Sequence, residues 1–440
     1  MINDVRGRVL CPGDDGFEAA ATPWNLAIIQ HVSAVVEAED ASDVAAAVRH
    51  ARLTGRAVTV QPGGHGATPG LDGEILVRTG RMRSVEVRPE ERLARVEAGA
   101  SWGEVLTAAG KHGLTGLAGS SPVVSVAGMS LGGGLSWFGR AHGLAGNAVR
   151  ALEVVDSEGA HVRVTADSDP DLFWAMRGAG GDFGVVTAME IALFPASVLY
   201  GGRLLWPANR LEQVLSAFRK ITADAPDELS LWFTTMQFPP LDFVPEPLRG
   251  LHVVLVDCAF LGDAATGREL LRPLERIPGV IFDTRDELPV SELGFICAEP
   301  VEPMPSQHRA ELLTDLDDAT TATLLKAVAL GQVTPDVVLQ IRHLGGALAR
   351  PDADAGACGH LAEPYLVNLL GMAGEETGAR QAGLSLALAP HVSGRKPYTF
   401  LNEGEGAAAA FPEATLARLR RIKRARDPQG LFRSNHPVLG

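Results

Sequence analysis

Glycine stands in this chain at points where side chains are unwelcome, and that placement limits the fold more than any other feature. Residues 61–70 read QPGGHGATPG, and residues 117–150 read LAGSSPVVSVAGMSLGGGLSWFGRAHGLAGNAVR. Such stretches let backbone approach a ligand or a neighbouring sheet closely. In the first, Gly63, Gly64 and Gly66 allow backbone N–H groups to point at a common centre, a geometry that binds anions and phosphates. His65 stands at the tip. An imidazole there can donate a hydrogen bond, bind a metal, act as a base or bond covalently to a cofactor, and local physics leaves these open.

The surroundings narrow the choice. No second histidine or acid sits near His65 at ligand spacing, so no metal is expected. There is no G-x-S-x-G elbow to make His65 part of a serine triad. The G-x-G-x-x-G fingerprint is absent, since GGHGATPG fails at Pro69 and GAGGDFG (178–184) fails at Phe183. No G-x-x-x-x-G-K-[ST] loop occurs either, so a Rossmann or P-loop nucleotide site lacks its signature.

Composition bounds the rest. The 440 residues are 46% hydrophobic and 21% charged, which is ordinary for a globular chain. A net charge of −14 repels phosphate backbones and anionic lipid, so neither nucleic acid nor a membrane surface is an expected partner. The cysteines, Cys11, Cys258, Cys297 and Cys358, form no C-x-x-C pair and read as idle thiols in a reducing compartment. The N-terminal stretch MINDVRGRVL has no apolar signal region, and no apolar run is long enough to span a bilayer. The expectation is a cytoplasmic monomer or homodimer.

Periodicity predicts an α+β chain. Strands are expected at 34–40, 56–61 and 73–79, with a helix at 41–55 capped near Ser42 or Asp43 and stopped by Gly55. SVEVRPEERLARVEAGA (84–100) reads as a hairpin turning at Pro89 and Glu90, and SWGEVLTAAGKHG (101–113) as a serine-capped helix. ALEVVDSEGAHVRVTA (151–166) is a second hairpin, and 169–194 a short helix, a glycine turn and a long strand. From about 200 the chain alternates strands (229–238, 251–261, 336–348, 362–372) with helices such as 209–224, as for a second domain on a largely antiparallel sheet. The expected division is 1–200, 201–390 and a C-terminal segment, 391–440, that returns to the first domain. Its basic helix carries Leu416, Leu419 and Ile422 as a buried stripe, leaving its charges on a solvated face.

In order and spacing, PGGHG, the GSSP…LGGGLSW…HGL block, DPDLFWAMRGAGGDFGVVT and RLRRIKRARDPQGLFRSNHPV resemble one family. It is the flavoproteins related to vanillyl-alcohol oxidase and berberine-bridge enzyme, with their PCMH-type FAD-binding domain. The look is nearest to bacterial members of the 6-hydroxy-D-nicotine oxidase type and antibiotic-pathway oxidases, over nearly the whole chain. The resemblance implies FAD bound covalently through His65, its pyrophosphate held by the loop of Gly63, Gly64, Gly66 and Ala67. Many members carry a second link, a cysteine in G-[ST]-C-P. Here the stretch is GSSP, with Gly119, Ser120 and then Ser121 in the cysteine's place, so a single link is implied. Val124, Gly128, Gly132, Gly133 and Gly134 match positions along the flavin, with Val124 where a small residue leaves room for oxygen. Asn147, Gly184, Val185 and Val186 match further cofactor positions. Trp174 and Arg177 read as structural.

The family's Tyr-x-Asn pattern is altered here to PYTFLNEGE (397–405). Alternation along a strand would put Tyr398, Phe400 and Asn402 on one face. The expected catalytic candidates are Tyr365, Tyr398, Asn368 and Asn402, with Arg342 and His343 as further substrate contacts. The function implied is an oxidase that takes hydride from a small-molecule alcohol, amine or sugar-like substrate of secondary metabolism and reduces O2 to hydrogen peroxide. An oxygenase or cyclase of a natural-product pathway is one alternative, and a redox-inactive ligand-binding relative another.

Overall fold

The structure, a computed structural model, describes all residues except 1, 3, 197, 198, 241, 243, 245 and 334. Its elements alternate strand and helix in the α+β manner expected. A four-stranded sheet comes first, in the order Arg8–Leu10, Ala34–Glu37, Ile75–Arg78, Val58–Val60. The last three strands run parallel, with the helix Ala41–Thr54 as the crossover. Its N-cap is Asp40, not Ser42 or Asp43. The Asp40 carboxylate accepts from the N–H groups of Ser42 and Asp43, and the helix stops at Gly55 with φ +66°. Asp43 is instead buried, accepting from the N–H groups of Arg6 (2.7 Å), Gly7 (3.0 Å) and Glu39 (2.9 Å).

A five-stranded antiparallel sheet follows, in the order Val85–Arg88, Leu93–Glu97, Val185–Ala192, Val149–Val155, His161–Val164. Both hairpins form where the turn residues predicted them. The helix Trp102–Gly110 carries a full capping box between Ser101 and Glu104.

From Leu199 onward an antiparallel sheet of eight strands dominates. Its main order is Phe282–Asp283, Leu199–Pro207, His252–Phe260, Leu229–Gln237, Val337–His343, Tyr365–Met372, Ser306–Leu313. Both faces are covered, so its central strands read as nearly unbroken apolar runs. One face packs Phe233, Val256, Ile341 and Val367 under Val214, Leu215 and Phe218 of the helix Leu211–Ala223. The other face carries Ala310, Leu312 and Leu366 against Leu135 and Leu144 of the first half of the chain.

The C-terminal helix Glu413–Arg426 packs back on that first half. Lys423, buried, donates to the Asp182 carbonyl (2.6 Å), the Asp427 carboxylate (2.7 Å) and the Phe432 carbonyl (2.7 Å). Val58 N–H donates to Leu431 O (2.7 Å) and Arg433 N–H to Val58 O (3.0 Å), which adds the terminal segment to the edge of the parallel trio. Arg418 and Arg426 pair with Asp171 and Asp169 at 2.8 Å each, so these charges of the basic helix meet carboxylates of this chain. Among the described residues, no helix is long and apolar enough to cross a membrane, and no group of three metal-ligating side chains gathers.

Candidate cofactor and substrate site

The His65 loop leaves the strand Val58–Val60 and turns back at Gly64, whose φ is +86°. A side chain there would be strained, and its Cβ would lie 2.7 Å from Pro23 Cβ. The close approach of residues 23–24 is what the glycine permits. Trp24 N–H donates to Gly63 O (2.9 Å), and its ring stacks on His65 with centroids 4.2 Å apart and planes at 16°. Burial lowers the His65 pKa from 6.5 to about 4, so the imidazole is neutral near pH 7. Its Nε2 is buried and meets no hydrogen-bond partner. The N–H groups of Gly63, Gly64, His65 and Gly66 also meet no acceptor among the described residues, whereas Ala67 N–H closes the turn onto Gly64 O (3.3 Å). Four open donors in succession and one neutral imidazole form an anion cradle with a nucleophile in it.

Ser121 matches the cradle in one respect: its Oγ is buried without a partner. The neighbouring Ser120 is buried and Gly119 half-buried, and Val124 packs on the core of the first half while its carbonyl holds Trp102 N–H (2.9 Å). The N–H of Gly128 is engaged by Ser125 Oγ (3.1 Å). Gly132 to Gly134 do a different job. A Cβ on Gly132 would strike Thr399 Cγ2 at 2.5 Å, and Gly133 and Gly134 have φ of +96° and +68°. The triple glycine lets the 398–399 turn and the 145–146 loop pack on it, with Ala145 and Gly146 N–H donating to Gly134 and Gly133 carbonyls (3.1 and 2.8 Å).

The packing gives four of the expected site residues partners within the chain. Asn147 uses its whole amide on the 356–359 loop. Nδ2 donates to Gly359 O (3.0 Å), and Oδ1 accepts from Gly356 N–H (3.0 Å) and Cys358 Sγ (3.3 Å), so it acts as a loop clasp. Tyr398 and Phe400 lie in a 3-10 turn after Pro397 and not on a strand, with Phe400 N–H donating to Pro397 O (2.8 Å). Tyr398 donates its hydroxyl to His436 O (3.1 Å) and Ser434 Oγ (3.3 Å), and burial raises its pKa above the usual phenol range, so it is no base. Asn402, half-exposed, turns its Oδ1 back to accept from Glu403 N–H (2.8 Å). Tyr365 points into the helix-covered core, its hydroxyl 2.8 Å from Thr222 Oγ1 and its ring 6.2 Å from that of Phe218. His343 shares that face, with Nε2 3.1 Å from Arg140 Nη1 and a pKa lowered to about 3, first by burial and then by Arg140.

Gly184 packs against Val154, and Val185 and Val186 pair with Val155 and Val154 with their side chains in two separate cores. Arg177 lies 4.2 Å over the Phe173 ring and Arg418 3.9 Å over Trp174, the structural roles expected of that helix.

The opposite face of the large sheet gathers the polar groups. Asn368, Gln340 and Thr234 stand side by side in register across three strands. Asn368 is 2% exposed and its Oδ1 meets no partner. Arg342 lies one step along, with its guanidinium 3.8 Å over the Trp232 ring and 5.3 Å from that of Phe400. Trp232 in turn stacks on Trp137, which follows the triple glycine, with centroids 3.7 Å apart. His308, edge-on to Phe400 with centroids 6.4 Å apart, has an unpartnered Nε2 and a pKa lowered by burial. Asn25, next to Trp24, joins this face to the cradle, with its amide paired both ways to Ser306 (2.9 and 3.1 Å), two residues before His308 on the strand Ser306–Leu313. Sequence reasoning missed Trp24, Trp232 and His308. None stands in a motif, and their roles come from strand parity and tertiary stacking.

Known proteins bear on this geometry. Residues 32–165 match the FAD binding domain family. Over its whole length the chain superposes on 6-hydroxy-D-nicotine oxidase from Arthrobacter nicotinovorans, with a TM-score of 0.84, 24% identity, 99% of this chain and 98% of that one. Residues 32–165 form an FAD-binding domain, in the berberine-bridge-enzyme-like fold. Berberine bridge enzyme from Eschscholzia californica superposes on this flavoprotein with a TM-score of 0.83 at 18% identity, over 99% of this chain and 97% of that one. In sequence, the flavoprotein is 34% identical to (R)-6-hydroxynicotine oxidase of Paenarthrobacter nicotinovorans over 45% of its own length and 44% of the relative's. The chain spans less than half the length of the first curated relatives it matches in this way.

The residues present fit FAD. The open N–H groups of 63–66 suit its pyrophosphate. The neutral, unpartnered His65 Nε2, held by the stacked Trp24 ring, is of a kind that could take a flavin's methyl carbon.

Proposed function

We propose that this flavoprotein is an oxidase with FAD attached covalently through His65 alone, acting on a small molecule bound under the polar face of the large sheet. The observation that carries the reading is His65: neutral, buried at Nε2 without a partner, and set among four unpaired N–H groups. FAD supplies a hydride acceptor that dioxygen can reoxidise to give peroxide. The chain supplies attachment, enclosure and proton handling. Ser121, with a hydroxyl where relatives of this type carry a cysteine, makes no thioether and leaves a single link.

On the substrate side, His308 is the proton acceptor. Burial keeps it neutral near pH 7, and its Nε2 is free. Asn368 and Gln340 orient the substrate through hydrogen bonds, and Phe400 and Trp232 exclude water from the cleft. The working division is 1–200 for the cofactor domain, 201–390 for the substrate domain and 391–440 for the returning segment.

The test is acid precipitation of the purified chain and of His65→Ala. A yellow, fluorescent pellet from the parent and a colourless one from the variant is the expected result, with stoichiometric peroxide on turnover. A colourless parent pellet with free FAD in the supernatant overturns the covalent bond. Flavin in neither fraction overturns the oxidase. Substrate turnover without peroxide release moves the assignment to an oxygenase.

A further inference from the structure

Arg342 is 8% exposed, and it has no ion-pair partner among the described residues. Its Nε donates to Gln340 Oε1 at 2.6 Å, which sets the plane of the guanidinium. Its two terminal nitrogens meet no acceptor among the described residues, and the side chain keeps a small exposure. Glu299 and Asp257 act on it only at a distance, neither within ion-pair reach, and Asp257 is already bound by Arg203 through two contacts at 2.6 and 3.1 Å. A buried cation without a counter-charge is costly unless something supplies one. Trp232 and Phe400 compensate in part through their ring faces, and a ring face leaves the edge of the guanidinium free. That free edge is a two-pronged donor whose geometry matches a carboxylate. Beside it, the buried Asn368 Oδ1 without a partner marks the same space as one that a polar ligand completes.

We infer that Arg342, with Gln340 fixing its orientation, is an anion-recognition site that selects substrates bearing a carboxylate. The inference deepens the oxidase reading by naming the substrate class, and it rests on that reading only for the word substrate. The site belongs to the sheet face and is built from side chains of three adjacent strands, Leu229–Gln237, Val337–His343 and Tyr365–Met372, with Phe400 from the C-terminal turn.

The experiment titrates the full-length protein with benzoate and separately with its neutral isostere benzamide, by calorimetry and by flavin absorbance. The FAD content of each sample is measured alongside. Benzoate is expected to bind roughly tenfold or more tighter than benzamide. Arg342→Met should remove that preference and leave benzamide binding and FAD content unchanged. Arg342→Lys keeps the charge without the fork and should retain part of the preference, which serves if the Met variant does not fold. Equal binding of the two probes, no binding of benzoate, or a preference that survives in Arg342→Met each overturns the site. So does an Arg342→Met protein whose flavin spectrum changes while its carboxylate preference does not. A yellow parent without carboxylate preference removes the anion site alone. A colourless parent that still prefers benzoate, read by heat, keeps the site and removes the flavin reading.

Discussion

The cradle at 63–66 and the polar face of the large sheet solve two halves of one problem in different ways. The cradle is made of backbone. Its donors are N–H groups that any sequence possesses, left without an acceptor where Gly64 turns the chain at φ +86°. The sheet face is made of side chains drawn from separate strands, and His308, Gln340, Arg342 and Asn368 meet only because the strands align in register. A backbone site suits the invariant part of a cofactor. A side-chain site is free to vary with the substrate while the scaffold beneath it stays the same. The difference teaches where to look for each: cofactor contacts in the order of residues along the chain, substrate contacts in strand parity.

The comparison can be broken at either end. The largest effect is expected at His65. His65→Ala should abolish acid-stable flavin entirely, and the absorbance of the washed pellet checks it. His308→Gln should lower kcat/KM by about 10²–10⁴-fold with FAD content unchanged, measured by peroxide release. The pH dependence has a definite sign. Burial depresses the His308 pKa below 6.5, so the neutral form persists through neutral pH. Activity should be flat there and fall only as pH drops below the ordinary histidine range, and a loss beginning above pH 7 would contradict the role. Gly64→Val tests the cradle through its backbone. With φ at +86° and Pro23 in the way, it should cost about 1–3 kcal/mol, seen as a lower midpoint in denaturant and poorer FAD loading. The smallest effect is expected at Tyr365. Tyr365→Phe removes the hydrogen bond to Thr222 and should cost about 1 kcal/mol of stability while leaving kcat/KM unchanged, because the hydroxyl faces the helix-covered core. A large fall in kcat/KM would put Tyr365 back at the site.

Local signals carried far along the chain. The stop at Gly55, the capping box of Ser101 and Glu104 and both hairpin turns lie where their residues place them, since each depends on contacts a few residues apart. The cradle belongs to the same class: a glycine with positive φ, a histidine and unpaired N–H groups within four residues. The strand Tyr365–Met372 shows where such reading ends. Its residues 365–369 are all buried, so alternation carries no hydrophobic contrast to say that Asn368 faces the cleft and Tyr365 the helices. PYTFLNEGE shows the other limit. Pro397 and the packing of Thr399 on Gly132 turn it into a 3-10 bend, although its spacing suits a strand equally well.

The sequence by itself determined the fold class, the hairpins and caps, and the glycine loop with His65 at its tip. These follow from steric rules and short-range hydrogen bonds that a run of residues contains. Only the tertiary structure decided which candidates meet. It gave Tyr365, Tyr398, Asn402 and Asn147 partners within the chain and brought His308 and Arg342 to the same ring, Phe400, because strand register and packing set which side of the sheet each side chain occupies.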